Sequence, residues 1–281
     1  MHAVTRAFIP DRRGNRLEQY EFLAVRGGRS HRLHLRGSGE IAEQFRQDRS
    51  GWWCSYRQVL ELAEGGEWWT HSLEASGPGP GLSCSLLLDV LSEVLTLPRL
   101  PGADLALALD WCKAADGDRW RDTLAGKLVA AGRYRSTHPA AVRAAAAGLA
   151  ARMAEVVRRH PLLDSADVIV PAPGHDRSVL SFGEWVGREV ARTVGLARVD
   201  VATRHVFRPP AKDRRGQDRR GQGRRVGEGE FFFREDLSGC AVLVVDDVYQ
   251  TGQTATATAC AARRAGAASV YVLTGTRTRG R

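Results

Sequence analysis

Two short clusters in this chain carry side chains suited to chemistry, and only two residues separate them. Asp246 and Asp247 close the run Ala241-Val242-Leu243-Val244-Val245, and Gln250-Thr251-Gly252-Gln253-Thr254 follows after Val248 and Tyr249. Aliphatic, β-branched residues ending in carboxylates read as a strand buried on both faces of a parallel sheet, with charge only at its carboxyl end. Ligands of open α/β sheets bind at that edge. The glycine permits a tight turn, and the Ala-rich stretch from Ala255 to Ala265 predicts a helix. Unpaired N–H groups at a helix start point outward, so this turn can wrap a phosphate.

Other readings exist for these residues. A Val-Val-Asp-Asp string also occurs in response regulators, near the amino terminus and without a Thr-Gly-x-Thr turn. A Walker-B strand needs a Gly-x4-Gly-Lys-Ser/Thr partner, which this chain lacks. The plainest alternative is a buried strand capped by two solvated acids. Apolar strand, acid pair and Thr251-Gly252-Gln253-Thr254 in that order resemble the phosphoribosyl diphosphate (PRPP) motif of type I phosphoribosyltransferases. The resemblance implies that Asp246 and Asp247 hold the two ribose hydroxyls and that Gln250, Thr251, Gly252, Gln253 and Thr254 cradle the 5′-phosphate. The family has a small residue where Gln250 stands, and a long amide there either crowds the phosphate or adds a donor.

The elements that must position these groups lie upstream. Val142, Ala146, Leu149, Met153, Val156 and Val157 fall on one helical face, and Pro161 closes that helix. Asp167 to Pro171 reads as a short buried strand. Ser181-x-x-Glu184 is a capping-box spacing for a helix through Val194, ended by Gly195. Strand, loop, helix and strand in this order indicate a βαβ unit with a right-handed crossover. A further strand is expected over Arg198 to Phe207, and another over Ala268 to Thr274, which would bring Thr276 and Arg277 to the acids' edge to contact an acceptor.

By resemblance, the loop after the first strand of such a sheet binds the pyrophosphate of PRPP. Here it spans Ala172 to Ser178 and includes Gly174, His175, Asp176 and Arg177. His175 and Arg177 can donate to diphosphate oxygens, and backbone amides freed by Gly174 can do the same.

Between Arg204 and Arg225 stand nine basic residues against two aspartates, a net +7 within a whole-chain charge of +9. Lys212, Arg214, Arg215, Arg219 and Arg220 form most of a Gly-Arg repeat too polar for a core. Three readings compete. The family's flexible loop would close over PRPP and offset charge on departing pyrophosphate. An Arg-Gly repeat also binds nucleic-acid phosphates in a salt-dependent way. An inert linker is the third.

Three features are similar to the ComF-like branch of that family: Leu128 to Tyr134 after Lys127, Val170-Pro171-Ala172-Pro173, and the basic segment leading to Phe231 ahead of Asp246. The likeness covers about Leu105 to Arg277. ComF-like proteins begin with a cysteine zinc ribbon, and this chain lacks one. Its five cysteines stand far apart with no Cys-x-x-Cys, so buried thiols are expected.

Residues 1–97 differ in character. Alternating residues around Arg26-Gly27-Gly28-Arg29 predict a hairpin, and Trp52, Trp53, Trp68 and Trp69 read as the core of a small β-rich module or, among arginines, as base-stacking surface. Leu86 to Leu97 is apolar enough for a buried helix. His31, His34 and His71 lack a metal-ligand pattern and read as exposed strand residues.

The expectation is thus an α/β protein: a type I phosphoribosyltransferase fold, a parallel sheet flanked by helices, over 98–281, and an N-terminal, partly β-rich accessory domain of unknown role over 1–97. No run approaches the roughly 20 apolar residues of a membrane span, and the start lacks signal-peptide form, so a cytoplasmic protein is expected. The implied activity is pentosyl transfer from PRPP to a nitrogen nucleophile, such as a nucleobase, with pyrophosphate release. Mg²⁺ would be held mainly by PRPP, and related enzymes often pair as homodimers. A non-catalytic PRPP or nucleotide sensor, or a ComF-like DNA-uptake or nucleic-acid-binding protein, is the alternative.

Overall fold

The computed structural model describes residues 8–24, 30–47, 53–62, 68–76, 82–135, 138–174, 180–203 and 229–279. The protein has an α/β fold that divides into two compact units, residues 1–98 with 159–164, and residues 99–158 with 165–281.

The first unit is built on an antiparallel sheet of four strands, β1 (Gln19–Ala24), β2 (Ser30–Arg36), β3 (Trp53–Leu62) and β4 (Trp68–Ser76), in the order β1-β2-β4-β3. The hairpin expected across Arg26-Gly27-Gly28-Arg29 forms, with Phe22 opposite Leu33. Helix α1 (Gly39–Gln47) separates β2 from β3, and α2 (Leu82–Glu93) leads into the two-residue strand β5 (Leu95–Thr96). The apolar stretch from Leu86 thus ends as a helix at Glu93, four residues short of Leu97. Trp69 is core. Contrary to the exposed reading, His34 and His71 are buried; the His34 ring meets the edge of Trp69, and His71 Nδ1 lies 2.8 Å from Thr70 Oγ1. Period-two alternation marks one face as polar, but here that face is covered as well.

The second unit begins with β6 (Leu105–Trp111), the hairpin β7 (Lys113–Asp116) and β8 (Arg119–Asp122), and α3 (Leu124–Ala130), which passes into a π-helical turn (Ala131–Arg135). Helix α4 (Pro139–Arg159) buries Ala145, Ala146, Leu149, Ala150, Met153, Ala154, Val156 and Val157, the expected face with Val142 only half-buried. Helix α5 (Pro161–Asp164) belongs to the first unit. Then come β9 (Val168–Pro171), α6 (Phe182–Val194), β10 (Ala197–Arg198), β11 (Ala202–Thr203), β12 (Phe231–Phe232), β13 (Ala241–Tyr249), α7 (Gln253–Arg264) and β14 (Ser269–Arg277). The α6 capping box forms as its spacing requires, and Gly195 ends the helix at φ 79°.

Within this unit the parallel strands lie in the order β10-β9-β13-β14-β6. Of the strand expected over Arg198 to Phe207, the described residues give two short pieces, β10 at the sheet edge and β11, which pairs antiparallel with β12 through Thr203 and Phe231, and residues 204–207 lie outside the described residues. No helix among the described residues is long and apolar enough to cross a membrane.

Candidate functional site at the carboxyl ends of two strands

Strand order decides where this fold opens. From β9 the chain passes through α6 to β10 on one side, and from β13 it passes through α7 to β14 on the other. Connections leaving two adjacent parallel strands in opposite directions create a topological switch point, the crevice in which open α/β sheets hold ligands. Here the crevice lies between the carboxyl ends of β9 and β13.

Strand β13 is longer than its apolar run, because pairing with β14 continues through Tyr249 opposite Arg277. Its pairing with β9 stops at Val245 opposite Pro171. Asp246 and Asp247 are therefore the first residues of β13 beyond the end of β9. The strand does not end in two solvated acids: it carries them into the crevice, where Asp247 is 1% exposed.

Two neighbours close over the pair. Nε of Arg133, from the π-helical turn, stands 2.8 Å from Asp247 Oδ2. That oxygen nonetheless accepts no aligned hydrogen bond, so the contact is one of charge alone. From the other helix, a Cβ built on Gly183 would sit 2.9 Å from Asp246 Oδ1 and 3.3 Å from Asp247 Oδ1. Only a residue without a side chain lets α6 start this close to the acids. Asp246 Oδ1 accepts from the Asp247 amide at 2.9 Å. Burial, then the charge of Asp247, pushes the Asp246 carboxyl up to about 8, with Arg133 opposing the shift. A neutral Asp246 beside Asp247 and Arg133 leaves this corner close to charge-balanced.

The turn after β13 is open. Gln250, Thr251 and Gln253 are exposed, and Gly252 takes φ +76° as the residue before α7, without any side-chain cap. The Tyr249 hydroxyl would lie 2.4 Å from a Cβ at Gly252, so conformation and space both demand glycine there. Arg277 braces the turn from β14: its guanidinium stacks on the Tyr249 ring at 4.7 Å and its Nη1 donates to the Gln250 carbonyl at 2.6 Å. Of the first N–H groups of α7, that of Gln253 donates only at 3.5 Å to Thr251 Oγ1, which leaves this helix start suited to an anion.

Of the residues expected in the pyrophosphate loop, Gly174 is described. It is half-buried against the α6 cap, where an added Cβ would come within 2.7 Å of Ser181. His175, Asp176 and Arg177 lie outside the described residues, as do Lys212, Arg214, Arg215, Arg219 and Arg220. The described residues flanking the basic segment pair as β11 and β12, and Arg264 of α7 donates to the Phe231 carbonyl at 3.2 Å. Thr276 corrects an expectation: it is fully buried, accepts from Cys112 Sγ at 3.0 Å, and is not available to an acceptor. Arg277 likewise serves the turn.

Sequence reasoning missed Arg133 and Gly183. The only signal was the stretch Leu128 to Tyr134 after Lys127, and nothing in residue type connects Arg133 to an aspartate 114 positions later. No group of three or more His, Cys, Asp or Glu able to hold a metal occurs among the described residues.

No family model matches the chain, and no curated protein matches it. Among solved structures, the purine phosphoribosyltransferase from Pyrococcus horikoshii Ot3 is similar at 16% identity and a TM-score of 0.30, over 48% of this chain and 80% of that one. Chemistry belongs to sites and not to distant likenesses, so the geometry of the crevice has to carry it.

Proposed function

We propose that the crevice between β9 and β13 binds PRPP with Mg²⁺ and that the protein transfers the phosphoribosyl group to a nitrogen nucleophile, releasing pyrophosphate. One observation carries this reading: an acid pair at a switch point is joined, through two residues, to an open turn that leads into a helix start without a side-chain cap. A sugar phosphate has the matching polarity, hydroxyl donors at one end and an anion at the other. Asp247 Oδ2, buried and without an aligned donor, suits a ribose hydroxyl. The turn from Gln250 to Thr254 would take the 5′-phosphate through the α7 amides.

Chemistry at such a site needs little covalent work from the protein. Asp246 and Asp247 would orient the ribose, and the charge of Asp247 would balance positive charge developing on its ring, while Gly174 and the residues after it would face the diphosphate. With few carboxylates on offer, Mg²⁺ would be bound mainly by the hydroxyl and diphosphate oxygens of PRPP, where it would neutralise the leaving group. The basic segment from Arg204 to Arg225 would serve as a cation-rich cover for that leaving group. Residues 1–97 would form a separate accessory domain.

A second reading keeps the ligand and drops the reaction. Arg133 already neutralises Asp247, as expected of a sensor in which PRPP or a nucleotide displaces an internal partner. Calorimetry with PRPP and Mg²⁺, beside pyrophosphate release with a panel of nucleobases, separates the two. Binding with release supports transfer, binding without release supports the sensor, and no binding rejects both. Because Asp247 is buried in an ion pair, Asp246→Asn with Asp247→Asn is not neutral for stability. Its loss of PRPP affinity has to be read at a temperature where melting shows the variant folded.

A further inference from the structure

The antiparallel sheet of the first unit has two unlike edges. At one, β3 pairs with β4 through register shifts between Trp53 and Ser55 and between Gln58 and Glu61. Irregularity of that kind protects an edge against pairing with another chain. At the other, β1 runs opposite β2 in six consecutive pairs without a shift, and Gln19-Tyr20-Glu21-Phe22-Leu23-Ala24 contains neither proline nor lysine. Its outer side pairs with no strand among the described residues. The entry to β1 is anchored: the Leu17 amide donates to the Leu91 carbonyl at 2.9 Å, and Arg16 Nε to the Glu93 carbonyl at 2.8 Å. A regular, anchored and unprotected edge is a template for one more strand.

The side chains of β1 define what that strand would carry. Successive residues point to opposite faces. Tyr20 and Phe22 share one face, their rings edge to face at 6.1 Å, and Tyr20 is 42% exposed. Gln19, Glu21 and Leu23 share the other. A cleft of about 400 Å³ opens beside Glu18, Gln19, Tyr20 and Glu21, with Trp69 and Ser92 as its remaining walls. Two of these six residues are acidic and none is basic, so the cleft favours a cation although the chain as a whole is at +9. Arg36 Nε already meets Glu18 at 2.8 Å, whereas the exposed Glu21 has no ion-pair partner among the described residues. Trp69 is buried, and its Nε1 has no hydrogen-bond partner among the described residues, a cost that a polar group entering the cleft would relieve.

We propose that β1 is a docking edge for an extended basic segment of a partner protein, which adds as a fifth strand with apolar residues beside Tyr20 and Phe22 and arginine or lysine beside Glu21 and the cleft. Main-chain hydrogen bonds would supply the affinity, and the alternation of apolar and basic side chains the specificity. A second copy of this chain fits less well, because β1 has no basic residue and pairing β1 with β1 would set Glu21 against no cation. The inference concerns the first unit alone and does not depend on how the crevice of the second unit is used.

An amide-capped, alternating Val-Arg hexapeptide, titrated calorimetrically into the full chain, tests the edge. Its Val-Glu counterpart and a Val-Arg peptide N-methylated at every backbone amide are titrated beside it. The Val-Arg peptide should bind and the Val-Glu peptide should not. Methylation removes the ladder donors and keeps every charge, and should weaken binding about 10-fold or more. Glu21→Lys should weaken binding of the Val-Arg peptide about 5-fold or more, and Glu21→Gln about 2- to 5-fold, in chains that melt as the wild type does. Any of five results would overturn the proposal: the Val-Arg peptide does not bind; the Val-Glu peptide binds equally; the methylated peptide binds like its parent; both Glu21 variants bind like the wild type; or sedimentation shows a wild-type dimer that Tyr20→Lys dissociates, which would give the edge to a second copy.

Discussion

The two halves of the motif are neighbours in sequence and opposites in state. Gln250 to Thr254 form a braced and open turn, with its glycine already left-handed and the helix start behind it uncapped. Asp246 and Asp247 are occupied by the protein itself, one next to the glycine that opens α6, the other by Arg133. Under the proposed function, a preformed anion site would cost little to fill, whereas the acids would have to exchange an internal partner for an external one. The contrast would then give affinity to the turn and gating to the acid pair.

The largest expected effect comes from removing the internal partner. Arg133→Ala leaves Asp247 buried without a counter-charge and should lower unfolding stability by about 3 kcal/mol in denaturant titrations. Adding Asp247→Asn should recover a good part of that loss. A cycle with no coupling would show that Arg133 does not hold the acid.

Next comes the close approach of α6. Gly183→Val should cost about 2 kcal/mol, because its side chain enters the space of the Asp246 carboxylate. Wild-type stability in that variant would mean that α6 moves freely off the acids.

A pH dependence follows from Asp246. Its folded carboxyl holds a proton that the unfolded chain releases from pH 3.8 upward, so the contribution of this group to stability is greatest below that value and falls as pH rises toward about 8. Asp246→Asn should flatten this fall, gaining on the order of 2 kcal/mol over the wild type at pH 8. Parallel stability curves for the two proteins between pH 4 and 8 would refute the raised carboxyl.

The smallest effect belongs to the open half. Gln250→Ala should change stability by less than about 0.5 kcal/mol, since the side chain is exposed and Arg277 holds only the backbone carbonyl. A larger loss would show that the turn needs this amide, and the contrast between the halves would weaken.

Much of the fold was legible locally. The α6 capping box, the Gly195 stop, the apolar face of α4 and the β9 and β13 strands follow from spacing and residue type, because each is satisfied within one or two turns or by a buried run. Histidine burial in the first unit was not legible, since alternation shows which face is polar but not what packs on it. The short β10 and β11 were missed because edge pairing is decided by neighbours and not by propensity.

By itself, the sequence determined that two acids and a glycine turn stand at the end of a buried strand before a helix, because strand burial and turn conformation are local demands. Tertiary structure alone decided that those acids meet Arg133 and Gly183 and that β9 stops where they begin. Those contacts join residues tens to more than a hundred positions apart, and only strand order and helix packing bring them together.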